Sequence, residues 1–272
     1  MIGSEYVLGS GLSEAERLRI QAHAWQEQAE ILLDLIGVQP GWRCADVGCG
    51  AVGHLALLSR RVGPEGQVIG VDIDPVIAAE ARAFAAQEGL QNVEIQIADM
   101  YNTGLPDGYF DLVHVRFVFC VVAGDTQRVL DELLRLTRPG GIIVLEEPDL
   151  SSWNCSPMIS AWQRLKAALT EAFRRDRCDL SFGGQVFGFL RAAGVKGVKA
   201  RAAALAVQDG SPYMRTLLTF VELARHRLCG HELMSDAEVD SALEECSAHL
   251  ADPSTIVVMP LLIQVWGKKP SL

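Results

Sequence analysis

Residues 44–53 read CADVGCGAVG, a short apolar run that leads into three glycines and then into a helical pattern. Gly48, Gly50 and Gly53 have the spacing Gly-x-Gly-x-x-Gly. At the turn from a strand to a helix, this spacing lets the backbone bend tightly and approach a ligand, while the amino end of the helix points at that ligand. The pattern therefore predicts a site for a nucleotide cofactor.

Two acidic residues near the glycines bear on which cofactor is bound. Asp72 ends the next apolar run, where both dinucleotides and S-adenosylmethionine require an acid for the ribose, so Asp72 does not separate the two classes. Asp46 precedes Gly48 by two residues. A carboxylate there would repel a pyrophosphate, whereas it would attract the ammonium and sulfonium groups of S-adenosylmethionine. Asp46 therefore favours S-adenosylmethionine.

Strand and helix patterns alternate along the chain, which predicts an α/β fold. Strands separated by helices form right-handed βαβ units and a parallel sheet. We predict a Rossmann-like, doubly wound, mostly parallel seven-stranded sheet. The predicted strands are 42–47, 67–72, 93–97, 110–115, 141–146, 197–206 and 256–266. The predicted helices are 13–36, 53–62, 75–87, 125–137, 156–176, 183–193, 211–229 and 235–250.

The same patterns suggest how the chain is organised. A length of 272 residues suits one large α/β domain, and we predict a single domain over 1–272. Helices inserted before the last strand are predicted to cap the carboxyl ends of the sheet, where such folds bind ligands. The predicted parts are an N-terminal helical cover (1–40), a cofactor-binding core (41–150) and an acceptor side (151–272) with a cap at about 211–250 and the final strand 256–266.

Composition argues against several kinds of partner. The formal net charge is -10, and no basic run is present, so nucleic acid is not an expected partner. The seven cysteines have no CxxC spacing, which predicts neither a metal site nor a disulfide framework. No signal-peptide pattern and no long apolar segment is visible, so we expect a cytoplasmic protein that does not interact with a membrane.

Five segments in order resemble the motifs of class I S-adenosylmethionine-dependent methyltransferases, and the variant of the glycine motif is similar to that of enzymes that methylate quinones and natural products. The segments are CADVGCGAVG (44–53), VIGVDID (68–74), IQIADM (95–100), YFDLVHVRF (109–117) and LTRPGGIIVLEEPD (136–149). The resemblance covers roughly residues 40–150. It implies a Rossmann-like fold, methyl transfer and S-adenosylmethionine as cofactor.

The resemblance also implies roles for residues at the strand ends. In such enzymes Asp72 would accept both ribose hydroxyls, and Ile73 would lie against the adenine ring. Asp99 would accept the adenine amino group, while the amide of Met100 would serve a ring nitrogen.

Further residues are assigned by the resemblance to the methionine end of the cofactor. Gly48 and Gly50 would seat it, and the segment after the fourth strand, which includes Arg116, would line it. Tyr6 and Trp25 in the N-terminal cover would close over it.

A small, largely apolar acceptor is expected, since aromatic residues are frequent beyond residue 150. Aromatic, polyketide, terpenoid and quinone-like molecules all remain open. If the acceptor needs a general base, the candidates are His23, His114, Glu146 and His226. Formation of a homo-oligomer is left open.

Two other functions remain at this stage. The fold could use the cofactor without net methyl transfer, for example to steer a cyclisation or rearrangement. A nicotinamide-dependent oxidoreductase is the other alternative, although Asp46 and the turn at 138–141 argue against it.

Overall fold

The computed structural model of the protein describes residues 12–208 and 211–271. Within these residues the strands are β1 (Arg43–Val47), β2 (Gln67–Asp72), β3 (Val93–Ile97), β4 (Phe110–Arg116), β5 (Thr137–Asp149), β6 (Asn154–Ser156), β7 (Lys196–Ala203), β8 (Ala206–Val207), β9 (Ile256–Val258) and β10 (Leu261–Lys268). The helices are α1 (Leu12–Ala24), α2 (Gln26–Ile36), α3 (Leu55–Val62), α4 (Pro75–Gln87), α5 (Thr126–Leu136), α6 (Ser160–Arg175), α7 (Gly183–Ala192), α8 (Thr216–Leu223), α9 (Arg225–Gly230) and α10 (Asp236–Leu250). Among these helices, none has the length and apolar character that a membrane crossing requires.

Seven strands form the main sheet in the order β3-β2-β1-β4-β5-β10-β7. The first five strands in this order are parallel to one another, whereas β10 runs antiparallel to both β5 and β7. The inner strands are buried because helices cover both faces, which explains their nearly continuous apolar sequences. The predicted Rossmann-like, mostly parallel seven-stranded sheet is therefore confirmed.

The final predicted strand, 256–266, is wrong as a single element. The chain forms two strands there, and Pro260, which has no N–H to donate to a ladder, lies between them. β9 pairs with β6 and β8 in a separate three-stranded antiparallel sheet, whereas β10 enters the main sheet. The apolar sequence of 256–266 therefore does not indicate that the chain passes from one sheet to the other.

The predicted helix 13–36 is divided at Trp25. α2 packs its apolar face into the core through Ala29, Leu32 and Leu33. α1 lies instead against α4 and the 3-10 turn Pro212–Arg215. The division lets one end of this segment support the sheet while the other end covers the edge at which β1, β2 and β4 finish.

The predicted cap is present as helices but is more divided than expected. Residues 211–229 contain the 3-10 turn Pro212–Arg215 followed by α8 and α9, and α10 completes the cap. Residues of α8 and α9 line a cavity at the carboxyl ends of the strands. The division of the chain into cover, core and acceptor side stays a prediction.

Candidate cofactor and acceptor site

A cavity of about 590 Å³ lies between the carboxyl ends of the main strands, α1 and the cap helices. The structure brings most of the predicted site residues to its wall, namely Trp25, Asp46, Gly48, Gly50, Asp72, Ile73, Met100, His114, Arg116 and His226. Among the described residues, His23, Asp99 and Glu146 are not part of this wall. Tyr6 lies outside the described residues.

The glycines of the turn leave space for neighbouring atoms of the protein itself, in addition to leaving space for a ligand. Gly48 has φ +72°, and a Cβ atom there would lie 2.5 Å from Cγ2 of Val118. At Gly53 a Cβ atom would lie 2.4 Å from Oδ2 of Asp46 and 2.5 Å from the carbonyl oxygen of Cys49. The third glycine therefore makes room for the Asp46 carboxylate, which explains why it follows the second glycine by three residues.

Asp72 occupies the position expected of a ribose acceptor. Its Oδ2 accepts the N–H of Gly50 at 2.9 Å, and its Oδ1 accepts the N–H of Asp74 at 3.0 Å. Burial raises the pKa of this carboxyl, although both backbone hydrogen bonds oppose the shift. A carboxylate has about four lone-pair positions, so two hydroxyl groups can still be accepted.

The adenine side of the cavity is apolar and partly open. Ile73 is 40% exposed at its edge, and Ala98 and Met100 complete the wall there. The side chain of Asp99 accepts the N–H of Tyr101 at 2.9 Å within its own turn. Its contact with an adenine amino group stays a prediction.

α1 closes the cavity from above and is held at several points. The indole N–H of Trp25 donates to the hydroxyl of Tyr213 in the cap at 2.9 Å. Arg19 bonds Glu80 of α4. Trp25 lines the cavity, its closure over the cofactor stays a prediction, and the sequence did not indicate Tyr213 as its partner.

A row of polar side chains crosses the sheet beneath the cavity. We call Asp46, His114, Glu146 and Gln264 the polar row. His114 Nδ1 lies 2.7 Å from Asp46 Oδ1, and its Nε2 lies 2.7 Å from Glu146 Oε1. Gln264 donates to the other oxygen of Glu146 at 2.5 Å. All four residues are at most 2% exposed, so the row is a buried ion-pair network.

His54 lies against this row. Its ring centroid is 3.9 Å from that of His114, and its Nε2 is 3.0 Å from Glu146 Oε1. Neither nitrogen has a well-aligned hydrogen bond within the described part of the chain. Its backbone N–H donates to Asp46 at 2.8 Å.

The two histidines differ in charge. Burial lowers the pKa of His114, but the Asp46 and Glu146 carboxylates outweigh burial and raise it to about 9. For His54, burial and the positive charges of His114 and Arg116 lower the pKa to about 4. At neutral pH an imidazolium therefore lies beside a neutral imidazole, which avoids repulsion between the rings.

Of the four predicted general bases, His114 and Glu146 are engaged with each other in the polar row. Both nitrogens of His114 face carboxylates, and Glu146 is fully buried among three partners, so neither has a lone pair directed at an acceptor. His23 is exposed on α1, away from the cavity wall. His226 lines the cavity from α9 with an exposed side chain.

The buried cluster also bears on metal binding. Asp46, His54 and His114 each bring a ligand atom within 4.8 Å of the others. The hydrogen bonds of His114 to the two carboxylates already occupy its ring nitrogens. The expectation that the protein holds no metal stays a prediction.

Comparison with known proteins identifies the core of the chain. The family model of a methyltransferase domain matches residues 45–145, which include the glycine turn, Asp72 and two members of the polar row, Asp46 and His114. Residues 45–145 are therefore similar to a methyltransferase domain. For these residues the match agrees with the family that the sequence motifs predict.

Two curated relatives align with part of the chain. Nocamycin O-methyltransferase from Saccharothrix syringae is 37% identical over 135 residues, which cover 48% of each chain. Demethylmenaquinone methyltransferase from Geobacillus kaustophilus is 33% identical over 123 residues, which cover 45% of this chain and 51% of that enzyme. The chain spans about half the length of these curated relatives.

The crystal structure of the YcgJ protein from Bacillus subtilis has a similar fold. It superposes on this chain with a TM-score of 0.58 at 18% identity, covering 92% of this chain and 99% of the other. At that identity the likeness concerns the fold.

The residues of the site that the sequence did not predict are those that complete the buried network. His54 follows the glycine turn, and Gln264 lies in an apolar strand. A signal was present, because His114, Glu146 and Gln264 interrupt apolar strands and buried polar groups need partners. The sequence does not say which partners they find.

The buried histidines predict a pH dependence of the stability of the protein. Because the folded pKa of His114 is raised from 6.5 to about 9, its contribution is present below pH 6.5 and is lost as the pH rises to about 9. Because the folded pKa of His54 is lowered to about 4, stability is also lost as the pH falls from 6.5 to about 4. Thermal unfolding should therefore give the highest Tm near pH 6.5.

Two substitutions check this prediction. His54→Phe should reduce the loss of Tm on the acid side, because the residue that resists protonation is gone. His249→Gln, which changes an exposed histidine bonded to a carbonyl of the chain, should leave the profile unchanged. A wild-type Tm that does not fall between pH 6.5 and pH 9 would contradict the assignment of His114.

Proposed function

We propose that the protein is an S-adenosylmethionine-dependent methyltransferase that acts on a small, largely apolar acceptor. The observation that carries the proposal is one cavity that joins the glycine turn and Asp72 to an apolar chamber under the cap. The two aligned relatives are named as methyltransferases of nocamycin and of demethylmenaquinone, which supports a small acceptor. A cytoplasmic location and the absence of a nucleic-acid partner stay predictions.

The cofactor half of the cavity suits S-adenosylmethionine. Asp72 would accept the ribose hydroxyls, and Ile73 and Met100 would contact the adenine. Gly48 and Gly50 leave the backbone free to approach the methionine moiety. When bound, the cofactor supplies a methyl group on a positively charged sulfur.

The negative charge beneath the glycine turn fits a cationic cofactor. With Asp46 and Glu146 ionised, His114 protonated and His54 neutral, this buried cluster has a net charge of about -1. It supports the turn without offering the cofactor an exposed carboxylate, because Asp46 already bonds His114 and His54.

The acceptor half of the cavity is a chamber with apolar walls, lined by Leu150, Trp153, Leu169, Phe173, Leu180 and Met259. Methyl transfer is an in-line displacement, so the protein must hold the acceptor atom about 3 to 3.5 Å from the methyl carbon and exclude water. α1 and the cap helices provide both functions. The size of the cavity suits one drug-sized acceptor in addition to part of the cofactor.

Transfer of a labelled methyl group tests the proposal directly. The purified protein is incubated with methyl-labelled S-adenosylmethionine and a small-molecule extract of the source cells. We expect label in a product that is heavier than its precursor by the replacement of one hydrogen with one methyl group. Asp72→Ala protein is the control, since it should bind the cofactor poorly.

Two outcomes would contradict the proposal. Consumption of an extract component without label or mass gain would support a cyclisation or rearrangement on the same fold. Tight binding of NADH without binding of S-adenosylmethionine would support an oxidoreductase. Calorimetry measures the binding of NADH and the binding of S-adenosylmethionine.

A further inference from the structure

Arg116 is a cation in the wall of the cavity. It is the last residue of β4, is half-buried and lines the cavity. Its charge acts on His54, beneath the glycine turn, and on Tyr213, in the cap. The guanidinium therefore lies within electrostatic range of both the glycine turn and the cap.

No carboxylate of the described residues pairs with Arg116. The guanidinium of Arg116 lies over the ring of Phe117, and the guanidinium carbon is 5.7 Å from the centroid of that ring. The two other arginines in the wall differ: Arg17 bonds Glu14 at 2.6 Å, and Arg227 bonds Asp176 at 2.5 Å. Among the arginines that the structure describes in this wall, Arg116 is therefore the one whose charge is available to a ligand.

The surroundings of Arg116 favour an anionic ligand. A half-buried charge next to an apolar chamber loses hydration and is stabilised by an opposite charge from a ligand. The cationic sulfur of the proposed cofactor would make the region more positive, because two like charges in a cavity repel each other. An acceptor with a negative group between them removes both penalties.

The other titratable groups near the cavity are also consistent with an anionic acceptor. His114 and Glu146 are occupied by each other, and His226 is exposed at the outer side of the cavity. Of the other buried histidine and glutamate side chains in the described wall, Glu14 pairs with Arg17, and His54 has a pKa lowered to about 4, which makes it a weak base for the acceptor. An acceptor that is already ionised needs no such base.

Resting on the proposed function, we propose that the acceptor is a largely apolar molecule with an oxyanion, such as a carboxylate or phenolate, and that Arg116 binds this oxyanion. Methyl transfer to the oxyanion forms a carbon–oxygen bond while the carbon–sulfur bond breaks, and the electron pair of that bond stays on sulfur. The proton is lost to water before the acceptor binds. Positive sulfur and negative oxygen both become neutral.

A pair of fluorescent probes of similar shape and different charge tests the proposal. Anilinonaphthalene sulfonate is an apolar anion, and phenylnaphthylamine is its neutral counterpart. Both are titrated into protein saturated with S-adenosylhomocysteine. We expect Arg116→Gln to weaken binding of the anion by at least about tenfold and to change binding of the neutral probe by less than about twofold.

Two further variants separate charge from shape. Arg116→Lys keeps the charge and should retain most of the affinity for the anionic probe. Arg164→Gln removes the same charge from an exposed site, where Arg164 is 3.6 Å from Glu245, and should leave both affinities unchanged. Equal weakening of both probes by Arg116→Gln, or equal loss with Arg164→Gln, would overturn the proposal.

The cofactor's own carboxylate is the alternative partner of Arg116. The same variants distinguish this carboxylate from the oxyanion of the acceptor. If Arg116→Gln weakens S-adenosylhomocysteine binding by about tenfold while the anionic probe is unaffected, the oxyanion of the acceptor is not what Arg116 binds. If wild-type protein does not bind S-adenosylhomocysteine at all, the proposed function fails. The probe titrations without it then still decide whether Arg116 selects an anion.

Discussion

Asp72→Ala is expected to weaken the binding of S-adenosylhomocysteine by about a hundredfold, because two charge-assisted hydrogen bonds to the ribose would be lost together. The same substitution removes the acceptor for the N–H of Gly50, so the glycine turn loses one of its anchors. Isothermal titration calorimetry at constant salt measures the change. Because the side chain is half-buried at a strand end, the fold should tolerate the change better than the binding site does.

Asp125→Ala is a matched control for this effect. Asp125 also accepts two backbone N–H groups, those of Gln127 and Arg128, but it caps α5 and does not line the cavity. It should lower stability by about 1 kcal/mol and leave the cofactor affinity unchanged. An affinity of Asp72→Ala protein within about threefold of wild type would place the ribose elsewhere.

Glu146→Ala is expected to lower the free energy of unfolding by about 3 to 5 kcal/mol, since it leaves the buried charge of His114 with one carboxylate instead of two. It also removes the acceptor of Gln264 and the neighbour of His54. Native domains are stable by only about 5 to 15 kcal/mol, so the variant should lose much of its margin. Urea unfolding at neutral pH, followed by circular dichroism, measures the loss.

Exposed and buried glutamates should differ sharply in this experiment. Glu245→Ala removes one partner of the exposed pair with Arg164 and should change the free energy of unfolding by less than about 1 kcal/mol. Glu146→Gln keeps the shape and should fall between the two. A loss below about 1 kcal/mol for Glu146→Ala would show that the network contributes little to stability.

The sequence predicted the main sheet well because its signals are local. The glycine spacing, Asp72 at a strand end and the alternation of strand and helix depend on residues close in the chain. The structure confirms the sheet and places Asp72 beside the glycine turn. Asp46 was recognised as significant, but its carboxylate faces His114 and the amide of His54.

What the sequence did not reveal depends on contacts between distant segments. His114 and Glu146 were candidates for catalysis because their residue types suit proton transfer, and only the sheet order shows that they bind each other. The split of 256–266 was hidden because both halves are apolar, while their partners lie more than fifty residues away. The availability of Arg116 likewise follows from where the acids are placed.

The polar row also has a consequence for how related sequences diverge. Asp46 lies directly opposite His114 across β1 and β4, and Gln264 lies directly opposite Glu146 across β5 and β10. A lineage that replaces one member alone passes through a protein with a buried group left unmatched. In an alignment of homologues, these four positions should therefore covary, being kept together or exchanged together for apolar residues.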